Sequence, residues 1–178
     1  MYTIPRQGKP LHLEHRNGKR DGFQLANREQ NGRMVKDNRN HIVPVVCALI
    51  IDSRAQVLVA KRGENQKNPG MWEFPGGKVD QDESEENALK RELEEELGIR
   101  VKTGSRLDSV LYDYQEFAIE LIPFVCRIAG GEIVPCEHQE VRWITPPQAV
   151  SLLWAPADIP VLKQYAELFK KKQLRQLF

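Results

Sequence analysis

The chain has 178 residues, of which 40% are hydrophobic and 29% are charged, so it can fold around a core of its own. Its 26 basic and 25 acidic residues nearly balance, which argues against a protein whose whole surface binds a polyanion. No apolar run approaches the roughly 20 residues that span a bilayer. The three cysteines show no C-x-x-C spacing, which argues against a disulfide framework or a zinc knuckle. We therefore expect a cytoplasmic protein.

Residues 1–40 differ in composition from the rest of the chain. They contain nine basic and four acidic residues, a net charge of +5, whereas residues 41–178 have a net charge of −4. Their few apolar residues follow neither a helical nor a strand period, so we predict a mostly disordered leader, a domain over 41–173 and a tail over 174–178. The leader is either an arm that binds nucleic acid, RNA included, or a solvated tail, which translation from an upstream start codon would also produce.

The first elements of the domain are predicted to be strands. The run 42–51 is rich in β-branched residues and typical of a buried strand, and the turn residues 52–55 lead into a second strand over 56–62. We predict that these two strands pair as a hairpin. After a polar loop over 63–71, the alternation over 72–79 predicts a third strand that ends at a pair of glycines.

The strongest helical signal runs from Ser84 to Leu97. Ser84 is a capping residue, Glu85 and Glu86 lie in the first turn, and Gly98 follows where a helix C-terminal glycine belongs. These signals agree with one another, so we predict a helix with both ends defined.

Three carboxylates cluster on one side of this helix. At about 100° per residue, Glu92, Glu95 and Glu96 share a sector of about 100°, beside a buried stripe formed by Leu89, Leu93 and Leu97. Glu94 points to solvent. On the helix alone, the cluster is either a solvated acidic face or a site for a hard divalent cation.

The remaining elements complete a layered domain. We predict strands over 108–114 and 116–127, a turn at Gly130-Gly131 and a short strand over 140–144. Thr145-Pro146-Pro147 indicates a helix start, and a last helix begins near Asp158 and ends in a basic run over 170–172. The order β-β-β-α-β-β-β-α-α predicts an α/β domain with a mixed sheet and helices on its faces.

The acidic helix is part of a longer pattern, Gly-x5-Glu-x7-Arg-Glu-U-x-Glu-Glu-x-Gly-U, where U is aliphatic. Every fixed position is filled, by Gly77, Glu83, Arg91, Glu92, Leu93, Glu95, Glu96, Gly98 and Ile99. Chance agreement is on the order of 10⁻⁹ per start position, so the pattern is not accidental. It resembles the Nudix box, the signature of the Nudix hydrolases, and the resemblance implies the Nudix α/β/α sandwich.

The resemblance also implies roles for the residues of the box. The ligands of Mg²⁺, for which Mn²⁺ can substitute, would be the Gly76 carbonyl and the carboxylates of Glu92, Glu95 and Glu96. Arg91, four residues before Glu95, would fix that carboxylate. Glu83 would organise the loop that precedes the helix.

Outside the box, the chain is similar to the MutT branch of the family. The similarity covers about residues 42–170 and rests on the strings MWEFPGGKV, Lys61-Arg62, Glu137-His138-Gln139 with Trp143, and Ala157-Asp158-x-Pro160. This branch includes 8-oxo-dGTP diphosphatases and CTP pyrophosphohydrolases, which release pyrophosphate from nucleoside triphosphates. The similarity therefore implies nucleotide-pool sanitation, a DNA-repair role, and leaves both a monomer and a homodimer open.

Further roles follow when the similarity is carried over position by position. Glu137 would complete the metal site and act as a general base, the alternative being a solvated loop acid. His138 is expected to be a structural residue of the same loop. The substrate would be contacted by Arg62, Lys67, Glu73, Phe74, Pro75, Gly76 and Gly77, although Arg62 has an alternative as an exposed strand-end cation and Phe74 as a core residue.

Asp158 is where this sequence departs from the MutT pattern, which has an asparagine that recognises oxidised guanine. An ionised carboxylate only accepts hydrogen bonds and suits the cytosine amino group, whereas the alternative for Asp158 is a helix cap. This departure favours cytosine nucleotides slightly over 8-oxo-dGTP. The rival functions are hydrolysis of nucleoside diphosphate sugars or ADP-ribose, removal of pyrophosphate from RNA 5′ ends, and a non-catalytic Nudix binding module.

Overall fold

The structure is a computed structural model that describes residues 42–114 and 117–177, so the predicted leader lies outside the described residues. The described chain forms strands β1 (Ile42–Ile50), β2 (Val57–Lys61), β3 (Trp72–Glu73), β4 (Ile99–Arg106), β5 (Val110–Asp113), β6 (Ala118–Gly131) and β7 (Glu140–Ile144). Its helices are α1 (Glu85–Leu97), α2 (Pro146–Ala149) and α3 (Asp158–Lys170), followed by a 3-10 turn over Leu174–Gln176. None of these helices is long and apolar enough to cross a membrane.

The strands form two sheets. In the larger sheet the long strand β6 pairs in parallel with β1 along one edge and antiparallel with β5 and β4 along the other, so this sheet is mixed, as predicted. The smaller sheet has the antiparallel order β3-β2-β7.

Strand β1 is buried on both faces, which explains its continuous apolar sequence. On one face, residues such as Cys47 and Leu49 join a core that includes Tyr165 of α3. On the other face, Val46 and Ala48 join a core with the leucine stripe of α1. The α/β/α layering implied by the sequence is confirmed, with α1 and α3 on opposite faces.

Helix α1 has the ends that the sequence predicts. The Ser84 hydroxyl accepts a hydrogen bond from the Asn87 N–H, and Gly98 adopts a left-handed conformation (φ 67°) that ends the helix. The starts of the shorter helices are also as predicted, because Thr145 caps α2 with Gln148 and Asp158 is the first residue of α3.

The predicted hairpin of β1 and β2 is wrong. The two strands share only an isolated bridge between Ile51 and Val57, and they lie in different sheets. Instead, β1 stands at the end of the order β1-β6-β4 and pairs in parallel with β6, which comes from much later in the chain. The turn over 52–55 therefore redirects the chain and does not close a pair.

The prediction also missed strand β4, and it placed a turn where β6 continues. Only Ile99 and Val101 of β4 are buried, so the alternation is too short to stand out in the sequence. Gly130 and Gly131 are not a turn but the end of β6, paired with Arg100 and Ile99.

Residues 174–177, predicted to be a separate tail, pack onto the domain. Leu174 is buried in the core on the α3 side of the sheet. The backbone carbonyl of Leu177 accepts hydrogen bonds from both the backbone N–H and the hydroxyl of Ser105 on β4.

Candidate active site

A cavity of about 920 Å³ opens beside the start of β1, the glycine pair and the first turn of α3. Eight of the predicted site residues line it: Arg62, Lys67, Glu73, Phe74, Gly76, Gly77, Glu137 and Asp158. Arg91, Glu92, Glu95 and Glu96 of α1 are not part of its lining, and neither is Pro75. That residue is buried, and its carbonyl accepts a hydrogen bond from the Ala48 N–H, which gives it a place in the scaffold.

The segment over residues 72–77 forms one wall of the cavity and is tied to its surroundings at nearly every residue. Trp72 exchanges backbone hydrogen bonds with Leu153 and Ala155, and the Phe74 N–H donates to Asp158. The Gly77 carbonyl accepts from the Val46 N–H at 2.8 Å. These hydrogen bonds fix the backbone of the segment over residues 72–77.

Gly76 is required by its backbone conformation and by its neighbours. Its φ is 148°, in the region that favours glycine, and a Cβ at this position would overlap the Val46 carbonyl. Its N–H donates to Glu96 Oε2 at 3.1 Å, so the glycine turn lies directly against the acidic helix.

Glu96 is the buried carboxylate of the site, with 6% of its surface exposed. Burial, together with the nearby charges of Glu73, Glu92 and Glu137, raises the pKa of Glu96 to about 8, against the hydrogen bond from Gly76. Such a carboxylate is poorly accommodated as an anion by the protein alone. A divalent cation would relieve both the burial and the repulsion.

This raised pKa predicts how stability depends on pH when metal is removed with EDTA. The folded state keeps the Glu96 proton up to about pH 8, whereas the unfolded state releases it near pH 4.5. The protonated Glu96 therefore adds to the free energy of unfolding, fully below about pH 4.5, and this addition is lost as the pH rises through about 8. The slope for one group is at most about 1.4 kcal/mol per pH unit. Urea unfolding between about pH 5 and 9 should show the fall for wild type and a flatter curve for Glu96→Gln. Equal slopes for the two proteins would contradict this account of Glu96.

Glu92 lies beside Glu96 but is only partly buried, with 17% of its side chain exposed. A Cβ at Gly77 would overlap its carboxylate, so that glycine leaves the space that Glu92 occupies. Burial raises the pKa of Glu92, and the hydrogen bond from Arg91 opposes the rise.

Arg91 joins the predicted loop residue Glu83 to the acidic helix. Its guanidinium forms two hydrogen bonds with Glu83, at 2.9 and 3.1 Å, and donates to Glu92 at 2.9 Å and to Glu95 at 3.3 Å. It also donates to the Lys78 carbonyl at 3.1 Å. The predicted contact with Glu95 is present, but the contact with Glu83, which the sequence did not predict, is closer and attaches the loop over 78–84 to α1.

Glu95 and Glu137 are the exposed members of the predicted metal set. The Glu95 side chain is 58% exposed and its contact is with Arg91. Glu137 lies on the loop between β6 and β7 and lines the cavity. Within the described residues, no three acidic, histidine or cysteine side chains already converge closely enough to hold an ion by themselves.

The donor set nevertheless fits a hard cation. The atoms available are carboxylate and carbonyl oxygens, which suit Mg²⁺, and this ion is usually held by one or two carboxylates together with substrate phosphates. The buried Glu96 and the half-buried Glu92, with the Gly76 turn against them, meet that requirement without a closed cage.

Arg62 and Glu73 are paired with each other at the edge of the cavity. Arg62 donates to Glu73 Oε2 and to the Lys67 carbonyl, so it is not the free strand-end cation of the alternative interpretation. The ammonium group of Lys67 lies 4.1 Å from the ring centroid of Phe117, which connects this loop to the hairpin of β5 and β6.

Asp158 lines the cavity and is 6% exposed. Its Oδ1 accepts a hydrogen bond from the Phe74 N–H at 2.9 Å. The helix-cap alternative is wrong, because Ala157 is the N-cap of α3 and no side chain caps that end. Burial raises the pKa of Asp158 well above its usual range, and the charge of Glu73 adds to the rise.

The sequence analysis missed part of the cavity wall. Tyr114 and Phe117 line it, with ring centroids 5.2 Å apart and nearly parallel planes, and Cys47 lines it from β1. Aromatic residues clustered at a hairpin tip are the signal that was available for the first two. Nothing in the sequence distinguishes Cys47 from its buried neighbours.

Comparison with known proteins agrees with this geometry. The NUDIX domain family model matches residues 41–165. A CTP pyrophosphohydrolase of Escherichia coli is 38% identical over 123 residues, which are 69% of this chain and 91% of that protein. An 8-oxo-dGTP diphosphatase of Proteus vulgaris is 40% identical over 81 residues, or 46% of this chain and 72% of that protein.

A solved structure shows the same likeness in three dimensions. The E. coli ORF135 protein superposes with a TM-score of 0.64 and 35% sequence identity, and the match covers 74% of this chain and 93% of that one. Since the family model spans well over half of the chain and every fixed position of the box is filled, this protein belongs to the Nudix family.

Proposed function

We propose that this protein hydrolyses nucleoside triphosphates to the monophosphate and pyrophosphate in a Mg²⁺-dependent reaction, with cytosine nucleotides preferred slightly over 8-oxo-dGTP. Support comes above all from the buried Glu96 carboxylate, which lies behind the glycine turn that lines the cavity and is crowded by other acids. The similar proteins of E. coli and P. vulgaris, a CTP pyrophosphohydrolase and an 8-oxo-dGTP diphosphatase, are consistent with this class of substrate.

Different residues are proposed to bind the metal, to take a proton from water and to position the carboxylates. We propose that Glu92, Glu95, Glu96 and the Gly76 carbonyl hold the metal. When bound, Mg²⁺ neutralises phosphate oxygens and lowers the pKa of the attacking water. Glu137, exposed at the cavity rim, completes the site or takes a proton from that water. Arg91 keeps the carboxylates of α1 in place.

Asp158 supports recognition of a base that offers an adjacent donor and acceptor, a class that includes both cytosine and 8-oxoguanine, while the slight preference for cytosine rests on the similarity to the CTP pyrophosphohydrolase of E. coli. A carboxyl that keeps its proton can donate one hydrogen bond and accept another, which changes the argument made from an ionised side chain. Cytosine offers an adjacent donor and acceptor on its pairing edge, and 8-oxoguanine offers the same pair because oxidation places a hydrogen on N7. Ordinary guanine offers two acceptors on its N7 and O6 edge, so a guanine that presents this edge matches poorly.

The test is pyrophosphate release with Mg²⁺ from CTP, dCTP, 5-methyl-dCTP, 8-oxo-dGTP, dGTP, ADP-ribose and a UDP-sugar. We expect the cytosine nucleotides first, then 8-oxo-dGTP, with dGTP poorer by roughly 10- to 100-fold in kcat/KM. Release of a sugar phosphate in place of pyrophosphate would assign the rival class of substrate and overturn the proposal.

Two variants separate recognition by Asp158 from its structural contact. Asp158→Ala should remove most of the discrimination against dGTP, whereas Asp158→Asn, which keeps a donor and an acceptor, should retain it. Equal discrimination in wild type and Asp158→Ala would show that another group selects the base.

A further inference from the structure

The loop that carries Glu137 is tied down on both sides of that residue but not at it. The Cys136 N–H donates to the Glu96 carbonyl at the end of α1, and the Gln139 N–H donates to the Lys61 carbonyl at the end of β2, both at 2.9 Å. Between these ties, within the described part of the chain, Glu137 and His138 form no hydrogen bond to another backbone group. The position of Glu137 therefore depends on side-chain contacts.

His138 supplies such a contact. Its side chain is fully buried, and its Nε2 lies 3.2 Å from Glu73 Oε1. Since an ionised carboxylate only accepts hydrogen bonds, the ring carries a hydrogen on Nε2. Its Nδ1 is buried and has no hydrogen-bond partner among the described residues, so Nε2 is the ring atom that anchors the loop.

Glu73 extends this contact to the substrate side of the cavity. Its other oxygen, Oε2, is paired with Arg62, and only 12% of its side chain is exposed. One carboxylate thus joins His138 to Arg62, the residue that also holds the backbone of the loop with Lys67.

Gly63 fixes the same loop from another direction. A Cβ on Gly63 would lie 2.6 Å from the Glu137 carbonyl oxygen, closer than real Cβ atoms approach backbone. The missing side chain therefore lets the Glu137 backbone pack directly against the loop that follows Arg62.

We infer that His138 is a positioning residue for Glu137. Its hydrogen bond to Glu73 holds Glu137 at the rim of the cavity and sets that carboxylate relative to Arg62. The inference rests on the proposed function, in which Glu137 completes the metal site or acts as a base. It adds that the reach of Glu137 is fixed by a buried network that does not touch the reacting atoms.

The experiment compares three substitutions of His138. His138→Gln places an amide nitrogen close to where Nε2 was, His138→Asn places one nearer to Nδ1, and His138→Leu fills the volume without a donor. We expect Asn and Leu to lower kcat by roughly 10- to 100-fold, because a shift of about 1 Å can cost that much. The nucleotide KM should change by less than about threefold, the Mg²⁺ concentration for half activity should rise, and Gln should recover kcat to within about threefold of wild type.

A double variant tests whether the effect passes through Glu137. In a Glu137→Gln background, His138→Leu should cause little further loss, whereas a structural role elsewhere would give independent losses that multiply. Gly63→Ala, which pushes on the Glu137 backbone from the other side, should show the same split between kcat and KM. If a thermal unfolding assay shows that His138→Leu does not fold, Gly63→Ala replaces it as the test of how Glu137 is positioned.

Three results would overturn the inference: wild-type kcat in His138→Leu, failure of His138→Gln to rescue, or independent losses in the double variant. Failure of the proposed function looks different. Wild type would then release no pyrophosphate, or Glu137→Gln would be fully active on its own.

Discussion

Glu96→Gln is expected to lower kcat by on the order of 10³-fold with Mg²⁺ while the domain stays folded. Glutamine has nearly the same shape and still accepts the hydrogen bond from the Gly76 N–H, so the glycine turn keeps its anchor. It cannot become an anion, however, and the buried oxygen that a cation requires is lost. The measurement is pyrophosphate release at saturating nucleotide, with circular dichroism to confirm the fold.

Glu94→Gln is the matched control for this change. Glu94 lies on the same helix but is exposed and points away from the site, so its loss should leave kcat within about twofold of wild type. In EDTA near pH 8, Glu96→Gln should unfold at a temperature at least as high as wild type, because it removes a carboxylate that burial disfavours as an anion. Wild-type turnover by Glu96→Gln would rule out the proposed metal site.

Arg91→Lys, although it keeps the charge, is expected to lower kcat by about 10- to 100-fold. The guanidinium binds Glu83 through two nitrogen atoms and reaches Glu92, Glu95 and the Lys78 carbonyl at the same time. A lysine ammonium has one nitrogen atom and cannot form hydrogen bonds with all of these groups at once. The carboxylates of α1 would then repel one another with less compensation, and the loop over 78–84 would lose its attachment.

Lys90→Ala provides the comparison for Arg91→Lys. Lys90 is the neighbouring cation on α1, and its ion pair with Glu86, at 3.6 Å, is exposed. We expect this variant to be active and nearly as stable as wild type. If Arg91→Lys kept wild-type kcat at limiting and at saturating Mg²⁺, a charge near α1 would suffice and the fork geometry would be unnecessary.

The features of the fold that could be predicted are those that are determined by short stretches of sequence. Ser84 and Gly98 mark the ends of α1 through local hydrogen bonds and backbone conformation, so they were correctly placed. The sheet partners were not, because β1 pairs with β6, whose first partner residue, Ala118, follows Ile42 by more than seventy positions. Alternation along one strand does not identify the strand beside it.

The candidate site shows the same division. The box residues could be found because their spacing along one helix resembles a known family. The pairing of Arg62 with Glu73, and of Glu73 with His138, depends on three separate stretches of chain that meet only in the fold. Asp158, predicted to bind the substrate, lines the cavity, but its raised pKa follows from burial, and no sequence pattern reports that burial.

The wall over residues 72–77 has a consequence for how new substrate ranges could arise in this scaffold. Its backbone is bonded to β1, to the stretch before α3 and to Asp158, and a side chain of α1 holds its glycine turn. An insertion there would break several layers of the domain at once. Length and composition can change at lower cost at the cavity mouth, in the loop bearing Lys67, because exposed loops tolerate such changes. Changes that accommodate other nucleotides are therefore expected at the mouth of the cavity, while the segment over residues 72–77 stays the same.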